Sequence, residues 1–303
     1  MPPPARAATL RAVRARILAW YLAGSRELPF RRSRDPWPVL VAEVMLQQTQ
    51  ASRVSEHFDA FLDRYPSAAV MSAASQAQVL ADWSGLGYNR RALSLHAAAR
   101  SIVADGWPPT VKGMERLPGI GPYSARAIVS IAFGRPVGAV DTNVRRWLVR
   151  RFAADPADRH AIQDLADRLA AMSRSSDPSE PGTWTHATME FGARICTARA
   201  PRCDACPVAR GCPSRSNPPR VPVPRQSPST AATRASRGAL LRALSIAPSH
   251  RLSEKEAHVA VNGVGDGLDY TALTGGLERD GLMHRSRGRL VLGPRQRADT
   301  IGP

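Results

Sequence analysis

Two carboxyl side chains occupy positions where acid–base chemistry could take place. Glu43 is the one charged residue in the apolar run Val39–Leu46, which reads VLVAEVML. Asp141 directly follows a second apolar stretch, Val137–Val140, and stands before a helical pattern that its side chain could cap. Poor solvation would keep a proton on Glu43, whereas helix amides would keep Asp141 ionised. Such a pair supplies an acid and an anion, which cleavage of a glycosidic bond through an oxocarbenium-like state requires.

Each carboxyl also has a purely structural interpretation. Glu43 could lie on the solvated face of a helix, which is the ordinary place for a glutamate. Asp141 could serve only as a helix cap. The remaining motifs of the chain decide between these interpretations and the chemical one.

Four cysteines form a second chemical group. The chain contains no others, and they follow the pattern C-x6-C-x2-C-x5-C: Cys196, Cys203, Cys206 and Cys212. Thiols so close together indicate a shared metal ion or cluster, because disulfides are improbable in an intracellular protein. Zinc sites usually show two CxxC pairs or added histidines, and iron–sulfur clusters accept irregular spacing. The spacing alone therefore leaves zinc and iron–sulfur open.

A glycine-containing turn, LPGIGPYS over 117–124, joins two helical patterns. Gly119 and Gly121 permit a tight turn with outward-pointing backbone N–H groups, just before the helix that starts near Tyr123. Exposed amides beside a helix N-terminus make an anion site. The alternative is an ordinary helix–helix turn.

The composition favours nucleic acid as the anion. The 303 residues carry a formal net charge of +17, and apolar residues make up 43% of the chain, enough for a packed core. Of the 42 basic residues 40 are Arg, which indicates a GC-rich coding bias and lowers the weight of any single arginine. The pairs Arg145–Arg146 and Arg150–Arg151 are therefore interpreted as solvated faces that could also touch phosphates. No apolar run approaches the length of a membrane span.

The elements that position these groups are predicted to be helical. Residues 10 to about 212 carry helix signals and almost no strand pattern, so an all-α globule is expected. The predicted helices include 76–83, 90–105, 124–133 and 142–152. The Pro-, Ser- and Arg-rich stretch 214–236 is predicted to be a linker. Residues 237–303 are predicted to form a small winged-helix-like module with helices at 236–247 and 270–281 and a hairpin over 282–292.

These motifs together resemble one family. LPGIGPYSA, the aspartate of DTNVRR and the cysteine spacing are similar to the endonuclease III-like superfamily of helix-hairpin-helix DNA glycosylases. EVMLQQTQ and GLGYNRRA resemble its adenine DNA glycosylase, or MutY-type, branch. The resemblance covers roughly residues 10–213. It implies two helical lobes with DNA between them, a barrel lobe at about 32–138 and a cluster lobe from 1–31 and 139–213.

The resemblance implies a reaction and a role for each matched residue. The reaction is hydrolysis of the N-glycosidic bond of adenine mispaired with 8-oxoguanine or guanine, after the base has been flipped out of the duplex. The catalytic residues would be Glu43 as acid and Asp141 as stabiliser of the sugar cation, held by Tyr123 and Asn143. The residues of the adenine pocket and of the duplex wedge would be Arg26, Phe30, Glu190, Gln48, Thr49, Leu86 and Tyr88. The DNA-backbone contacts would be Leu117, Gly119, Gly121, Tyr123 and Arg145. The four cysteines would hold a [4Fe-4S] cluster.

Three further expectations follow from the resemblance. Relatives that also cut the DNA backbone carry Lys at the position of Tyr123, so a monofunctional glycosylase with little or no lyase activity is expected. Phe30 replaces a Trp that is usual in the family, which retains an aromatic face but removes a donor and could alter base preference. Residues 237–297 are too short for the Nudix-like domain that many members carry, so discrimination of the oxidised base would rest on the catalytic domain.

Two other functions stay open at this stage. One is a mismatch glycosylase of the same superfamily that removes thymine or uracil opposite guanine, although such relatives tend to lose the LQQT string. The other is a catalytically silent DNA-binding protein with a structural cluster, against which the joint presence of Glu43, Asp141 and Asn143 weighs. The expected partner is double-stranded DNA with a mismatch or an oxidised guanine. A monomer in the bacterial cytoplasm, at the nucleoid and not at a membrane, is expected.

Overall fold

Helices account for most of the chain. The computed structural model describes residues 7–172, 177, 179–221, 231–262, 264 and 269–295. Part of the predicted linker, 222–230, lies outside these residues, as do 263, 265–268 and 296–303 of the predicted module. Among the described residues, no helix is both long enough and apolar enough to cross a membrane.

The α-helices follow one another with short connections. In chain order they are α1 (Ala7–Gly24), α2 (Pro36–Leu46), α3 (Ala51–Arg64), α4 (Ala68–Ala73), α5 (Gln76–Asp82), α6 (Arg90–Asp105), α7 (Val111–Met114), α8 (Pro122–Phe133), α9 (Thr142–Phe152), α10 (Arg159–Ala170), α11 (Glu180–Arg194), α12 (Ala231–Ile246), α13 (Glu254–Val261) and α14 (Tyr270–Arg279). Short 3-10 segments cover Pro29–Arg31 and Pro248–His250.

The predicted helix positions are largely confirmed, because their caps and breakers are local signals. The helices α6 and α9 have the predicted bounds, and α5 and α8 differ from the prediction by one or two residues. Asp35 accepts a hydrogen bond from the Trp37 N–H at the start of α2. Helix α12 begins at Ala231, inside the segment that the sequence predicts as linker.

The described residues fall into two compact units. The first unit comprises 1–43, 108–116 and 120–225, and the second comprises 44–107, 117–119 and 226–303. The core of the first unit is built from α1, α9, α10 and α11, with Trp147, Phe191 and Ile17 among its buried side chains. In the second unit, α4 packs on α6 and α12 packs on α5.

The only strands in the described part of the chain belong to the second unit. They are β1 (Arg251–Ser253), β2 (Met283–Ser286) and β3 (Arg289–Leu292), and they form an antiparallel sheet in the order β1-β3-β2. The hairpin β2–β3 lies within the predicted 282–292. The sequence analysis missed β1 and α13. The three residues of β1 carry too little alternation to predict a strand.

Candidate active site

Glu43 is buried within the most apolar helix of the chain. All of its neighbours from Val39 to Met45 on α2 are 3% exposed or less, and Glu43 itself is 5% exposed. Its Oε2 atom has no hydrogen-bond partner among the described residues. Burial, reinforced by the charge of Asp141, raises the pKa of the Glu43 carboxyl to about 7, although the Tyr123 hydroxyl and Arg31 oppose the shift. The solvated-face interpretation of Glu43 is therefore wrong.

Asp141 caps α9 and also lies close enough to Glu43 to raise the pKa of that acid. Its Oδ1 accepts a hydrogen bond of 2.6 Å from the Val144 N–H, and its Oδ2 accepts one of 2.8 Å from Asn143 Nδ2. Burial raises the pKa of Asp141 above its ordinary value, and these hydrogen bonds and the charge of Arg146 offset only part of the rise. Helix amides stabilise the ionised form of Asp141, and no comparable set of donors serves Glu43. Of the two carboxyls, Asp141 is therefore the better stabilised as an anion, and Glu43 is the better suited to hold a proton.

Tyr123, on the first turn of α8, forms a hydrogen bond with Glu43 and lies within electrostatic range of Asp141. Burial raises its pKa well above the ordinary value, and Glu43 and Asp141 raise it further, so the phenol stays neutral. Its hydroxyl is 3.6 Å from the Met189 sulfur. A neutral hydroxyl can donate to a carboxylate or accept from a carboxylic acid, so it serves either protonation state of Glu43.

Arg146 fixes Asn143 and was not recognised from the sequence. It is 5% exposed, and its guanidinium donates to Asn143 Oδ1 at 2.9 Å, to the Gly192 carbonyl at 2.7 Å and to the Cys196 carbonyl at 2.7 Å. A Cβ atom on Gly192 would lie 2.6 Å from the Asn143 carbonyl oxygen, so the close approach of α11 to α9 requires glycine here. The prediction of a solvated face is wrong for Arg146 and for the 3%-exposed Arg150.

A second cluster of charges surrounds the fully buried Glu190 of α11. Arg26 donates two hydrogen bonds of 2.7 Å to its two carboxylate oxygens, and Arg31 donates one of 2.9 Å. Although burial opposes the shift, these hydrogen bonds and charges lower the pKa of Glu190 to about 2. Phe30, the residue between Pro29 and Arg31, is buried. Sequence reasoning identified Arg26, Phe30 and Glu190 but missed Arg31, which looked like one more arginine in a basic stretch.

The four residues predicted to contact the duplex lie in the second unit and surround one arginine. Arg91 donates to the carbonyls of Val44, Met45, Gln47, Leu86, Gly87 and Tyr88 and to the Thr49 hydroxyl. Burial lowers its pKa to about 10, so it remains charged. Gln48 and Tyr88 have positive φ angles of 61° and 47°, a strained conformation that persists only when the surroundings hold it. Both are exposed, whereas Leu86 is buried.

The glycine-containing turn requires glycine at position 119. Gly119 has φ 78°, and a Cβ atom there would lie 2.6 Å from Ser94 Cβ. Its carbonyl accepts a hydrogen bond of 3.1 Å from Gln47 Nε2. Gly121 is the N-cap of α8 and offers no capping side chain, so the first turn of α8 keeps amides that can bind an anion. Leu117 is buried, and Arg145 donates to the Pro156 carbonyl.

The four cysteines line one open cavity of about 350 Å³ in the first unit. Burial raises the pKa of Cys206 to about 11, and the charges of Cys196, Cys212 and Cys203 raise it further, so the four sulfurs lie within electrostatic range of each other. Among the described residues, no group of three or more His, Cys, Asp or Glu side chains is arranged to hold a single metal ion. Four soft thiol donors around one cavity fit an iron–sulfur cluster, whose ligands are cysteine thiolates.

Comparison with known proteins agrees with this arrangement. Residues 41–171 match the family model described as HhH-GPD superfamily base excision DNA repair protein. The adenine DNA glycosylase of Mycobacterium tuberculosis (strain CDC 1551 / Oshkosh) is 39% identical over 240 residues, which cover 75% of this chain and 77% of that protein. That of Mycolicibacterium smegmatis is 44% identical over 64% of this chain and 66% of that protein. The human adenine DNA glycosylase is 38% identical over 69% of this chain but only 40% of its own length.

Solved structures agree on the fold. A thermostable thymine-DNA glycosylase matches with a TM-score of 0.63 and 26% identity, covering 69% of this chain and 97% of that one. A trapped endonuclease III–DNA covalent intermediate matches with a TM-score of 0.58 and 23% identity, covering 70% of this chain and 98% of that one. The latter likeness concerns the fold alone.

The match to the family model spans Glu43, the glycine turn before α8 and Asp141. Together with the relatives above, it shows that the chain belongs to the helix-hairpin-helix superfamily of base excision DNA repair proteins. Within that superfamily, the chain belongs to the adenine DNA glycosylase family. It spans about two thirds of the length of the Mycolicibacterium relative and less than half of the human one.

Proposed function

We propose that this chain hydrolyses the N-glycosidic bond of adenine mispaired with 8-oxoguanine or guanine in double-stranded DNA. The observation that carries the proposal is the pair of buried carboxyls in a chain of the adenine DNA glycosylase family, Glu43 with a pKa raised to about 7 and Asp141 bound by the donors of Val144 and Asn143. The buried Oε2 atom of Glu43 has no hydrogen-bond partner among the described residues, which is unfavourable for folding. An inactive DNA-binding protein would gain nothing from such an acid, whereas a catalytic site would.

The first chemical step is protonation of the leaving base. A base inside a duplex is out of reach, so adenine is first rotated out of the stack. In the proposed complex, Glu190 and the arginines Arg26 and Arg31 line the adenine pocket, together with Phe30. Glu43 then donates its proton to the flipped adenine, which makes the base a better leaving group.

The second step is stabilisation of the sugar. Loss of the base leaves positive charge on the sugar, and the Asp141 carboxylate stabilises it by charge or by a transient covalent bond. Asn143 and the Val144 amide keep that carboxylate in place. Glu43, now ionised, can accept a proton from the water that completes hydrolysis.

We propose that the enzyme has little or no lyase activity. Cutting the DNA backbone through a Schiff base needs a lysine near the sugar. The chain has two lysines, Lys112 and Lys255, and Tyr123 occupies the position beside the carboxyls.

We propose that Cys196, Cys203, Cys206 and Cys212 hold a [4Fe-4S] cluster. When bound, the cluster would cross-link the loop 196–212 and fix its backbone. Arg146 carries that constraint to the site, because it binds the Cys196 carbonyl and Asn143 with one guanidinium.

The contacts with DNA are proposed from the geometry of the exposed groups. The amides at Gly119 and Gly121, with Arg145, bind the backbone, and Gln48, Thr49 and Tyr88 contact the duplex around the mismatch. Leu86 would have to leave its buried position to take part. The three helices and the sheet from α12 to β3 are proposed to be winged-helix-like, because the order helix, strand, two helices and a hairpin is present.

A panel of duplexes tests the proposed substrate. Duplexes that contain A opposite 8-oxoguanine, A:G, T:G or U:G are incubated with the protein and then cleaved with alkali. We expect strand breaks at adenine only, and none before alkali treatment. Cleavage of the T:G or U:G duplex would favour the thymine or uracil mismatch glycosylase. Tight binding without base release would favour the silent DNA-binding protein.

The rate should depend on pH through Glu43. The acid form of this residue is the reactive one, and its pKa is about 7. We therefore expect the single-turnover rate at saturating protein to fall about tenfold for each pH unit above about 7. The measurement is a rate profile from pH 5.5 to 9, with binding measured at each pH. A rate that is flat or rising up to pH 9 would contradict the role of Glu43 as the acid.

A further inference from the structure

The helices and strands after residue 230 are docked beside the loop that carries Leu86 and Tyr88. We call residues 231–262 and 269–295 the C-terminal module. Its α12 and β3 pack against α5, and a Cβ atom on Gly293 would lie 3.4 Å from the Ala77 backbone nitrogen. Asp280 forms an ion pair of 3.8 Å with Arg90, and a Cβ atom on Gly281 would contact Leu93 of α6. The module therefore touches both helices that flank the loop 83–89.

The hairpin β2–β3 projects a short basic tip, which we call the wing (Ser286–Arg289). Arg287 and Gly288 both have positive φ, 48° and 71°, as a two-residue hairpin turn requires. All four wing residues are exposed. Arg285, the residue before the wing, instead turns inward and binds Glu254, Glu278 and Thr274, so its charge is compensated within the module.

The outward face of the sheet continues this basic surface. Arg251 of β1 pairs with Val291, and Arg289 is two residues from Val291, so the two arginines lie on the same face. Within the described residues, neither Arg251 nor Arg287 forms an ion pair or a side-chain hydrogen bond. Glu256 is the acid that faces Arg289, and it is held in a capping box with Ser253. Exposed Lys255 adds a further cation nearby in the chain.

A polyanion fits this surface better than an apolar partner does. The outward face of the hairpin offers little apolar surface, because Val291 is half-buried and its partner on β2, His284, is a polar residue that forms a hydrogen bond with the Gly293 carbonyl. Arginines at a hairpin tip can reach phosphates without reading bases. We propose that the wing, with Arg251, is a second duplex contact that binds the DNA backbone outside the mismatch site. The inference rests on the proposed function, since it takes double-stranded DNA as the substrate.

The test compares two full-length variants that lose the same charge. The double variant Arg287→Ala/Arg289→Ala removes the wing cations. The control Arg100→Ala/Arg242→Ala removes two exposed arginines, one near the far end of α6 and one on α12. Binding of a 30-base-pair duplex is measured by fluorescence anisotropy between 50 and 200 mM salt. Each phosphate contact contributes about −0.9 to the slope of log affinity against log salt.

Loss of two phosphate contacts should make the plot of log affinity against log salt less steep in the wing variant, by about two units of slope. Over this salt range the wild type would then lose about tenfold more affinity than the wing variant, and the control would follow the wild type. Adenine release at saturating protein should be unchanged in both variants, because the wing lies outside the mismatch site. If the wing variant has the same slope as the wild type, the wing does not contact the DNA backbone, and the inference is overturned. Slower release at saturation would also overturn it.

These outcomes separate the inference from the proposed function. If the wild type binds the duplex but releases no adenine, the proposed function fails whatever the wing variant does. If the wild type releases adenine and the wing variant binds as the control does, only the role of the wing fails.

Discussion

Glu43→Gln is expected to reduce the single-turnover rate of adenine release by roughly a thousandfold, because a positioned general acid contributes about 10²- to 10⁴-fold. Glutamine has the same shape and can form hydrogen bonds, but it has no acidic proton to give. Binding of the mismatched duplex should be retained. The measurement is base release followed by alkali cleavage at saturating protein, with exposed Glu56→Gln as the control for loss of one carboxylate.

The same substitution should stabilise the fold at alkaline pH. Folding raises the pKa of Glu43 from 4.5 to about 7, so the unfolded chain ionises this group first as pH rises. The favourable contribution of Glu43 is complete below about pH 4.5 and is lost by about pH 7. At pH 8 the loss is on the order of 3 kcal/mol, which glutamine avoids. A variant that kept more than a tenth of the activity, or that melted below the wild type at pH 8, would refute the proposed role.

Arg91→Lys is expected to lower both the melting temperature and the affinity for mismatched duplex. An ammonium group has three donors and cannot reproduce the planar fork that serves seven oxygen acceptors here. Each buried carbonyl left without a donor costs about 1–3 kcal/mol. Gln48 and Tyr88, no longer held at positive φ, should relax, and the surface that they present to DNA should lose its shape.

The neighbouring residue supplies the control for this variant. Arg90 is exposed and makes a single long ion pair, so Arg90→Lys should change the free energy of unfolding by no more than about 0.5 kcal/mol. Thermal unfolding and duplex binding are measured for both variants. Equal behaviour of the two would show that Arg91 does not organise the loops 44–49 and 86–88.

The sequence predicted the parts of the site that depend on local pattern. A single acid in an apolar run, an aspartate before a helix and a glycine turn each have a physical meaning within a few residues. For this reason the positions of Glu43, Asp141 and Gly119 followed from the sequence, and so did the bounds of α6 and α9.

The arginines that organise the site could not be predicted in this way. Arg31, Arg91 and Arg146 act through contacts with residues distant in the chain, and in a sequence with 40 arginines nothing local distinguishes them from solvated ones. Arg146 was even interpreted as part of a solvated face. The signal that could have identified Arg91 is its place four residues after Gly87, because backbone carbonyls in the unusual conformations of such a turn need a multidentate donor.

The chain has 40 arginines and only two lysines, so nearly all of its cationic side chains, including those of the wing, are guanidinium groups. Guanidinium groups do not release their protons in the working range of the enzyme, and even the buried Arg91 has a pKa of about 10. The arginines will therefore keep their positive charge in alkaline buffers, and their attraction to DNA phosphates should persist. Amine-directed reagents and acetyl transfer will find few acceptors along the chain.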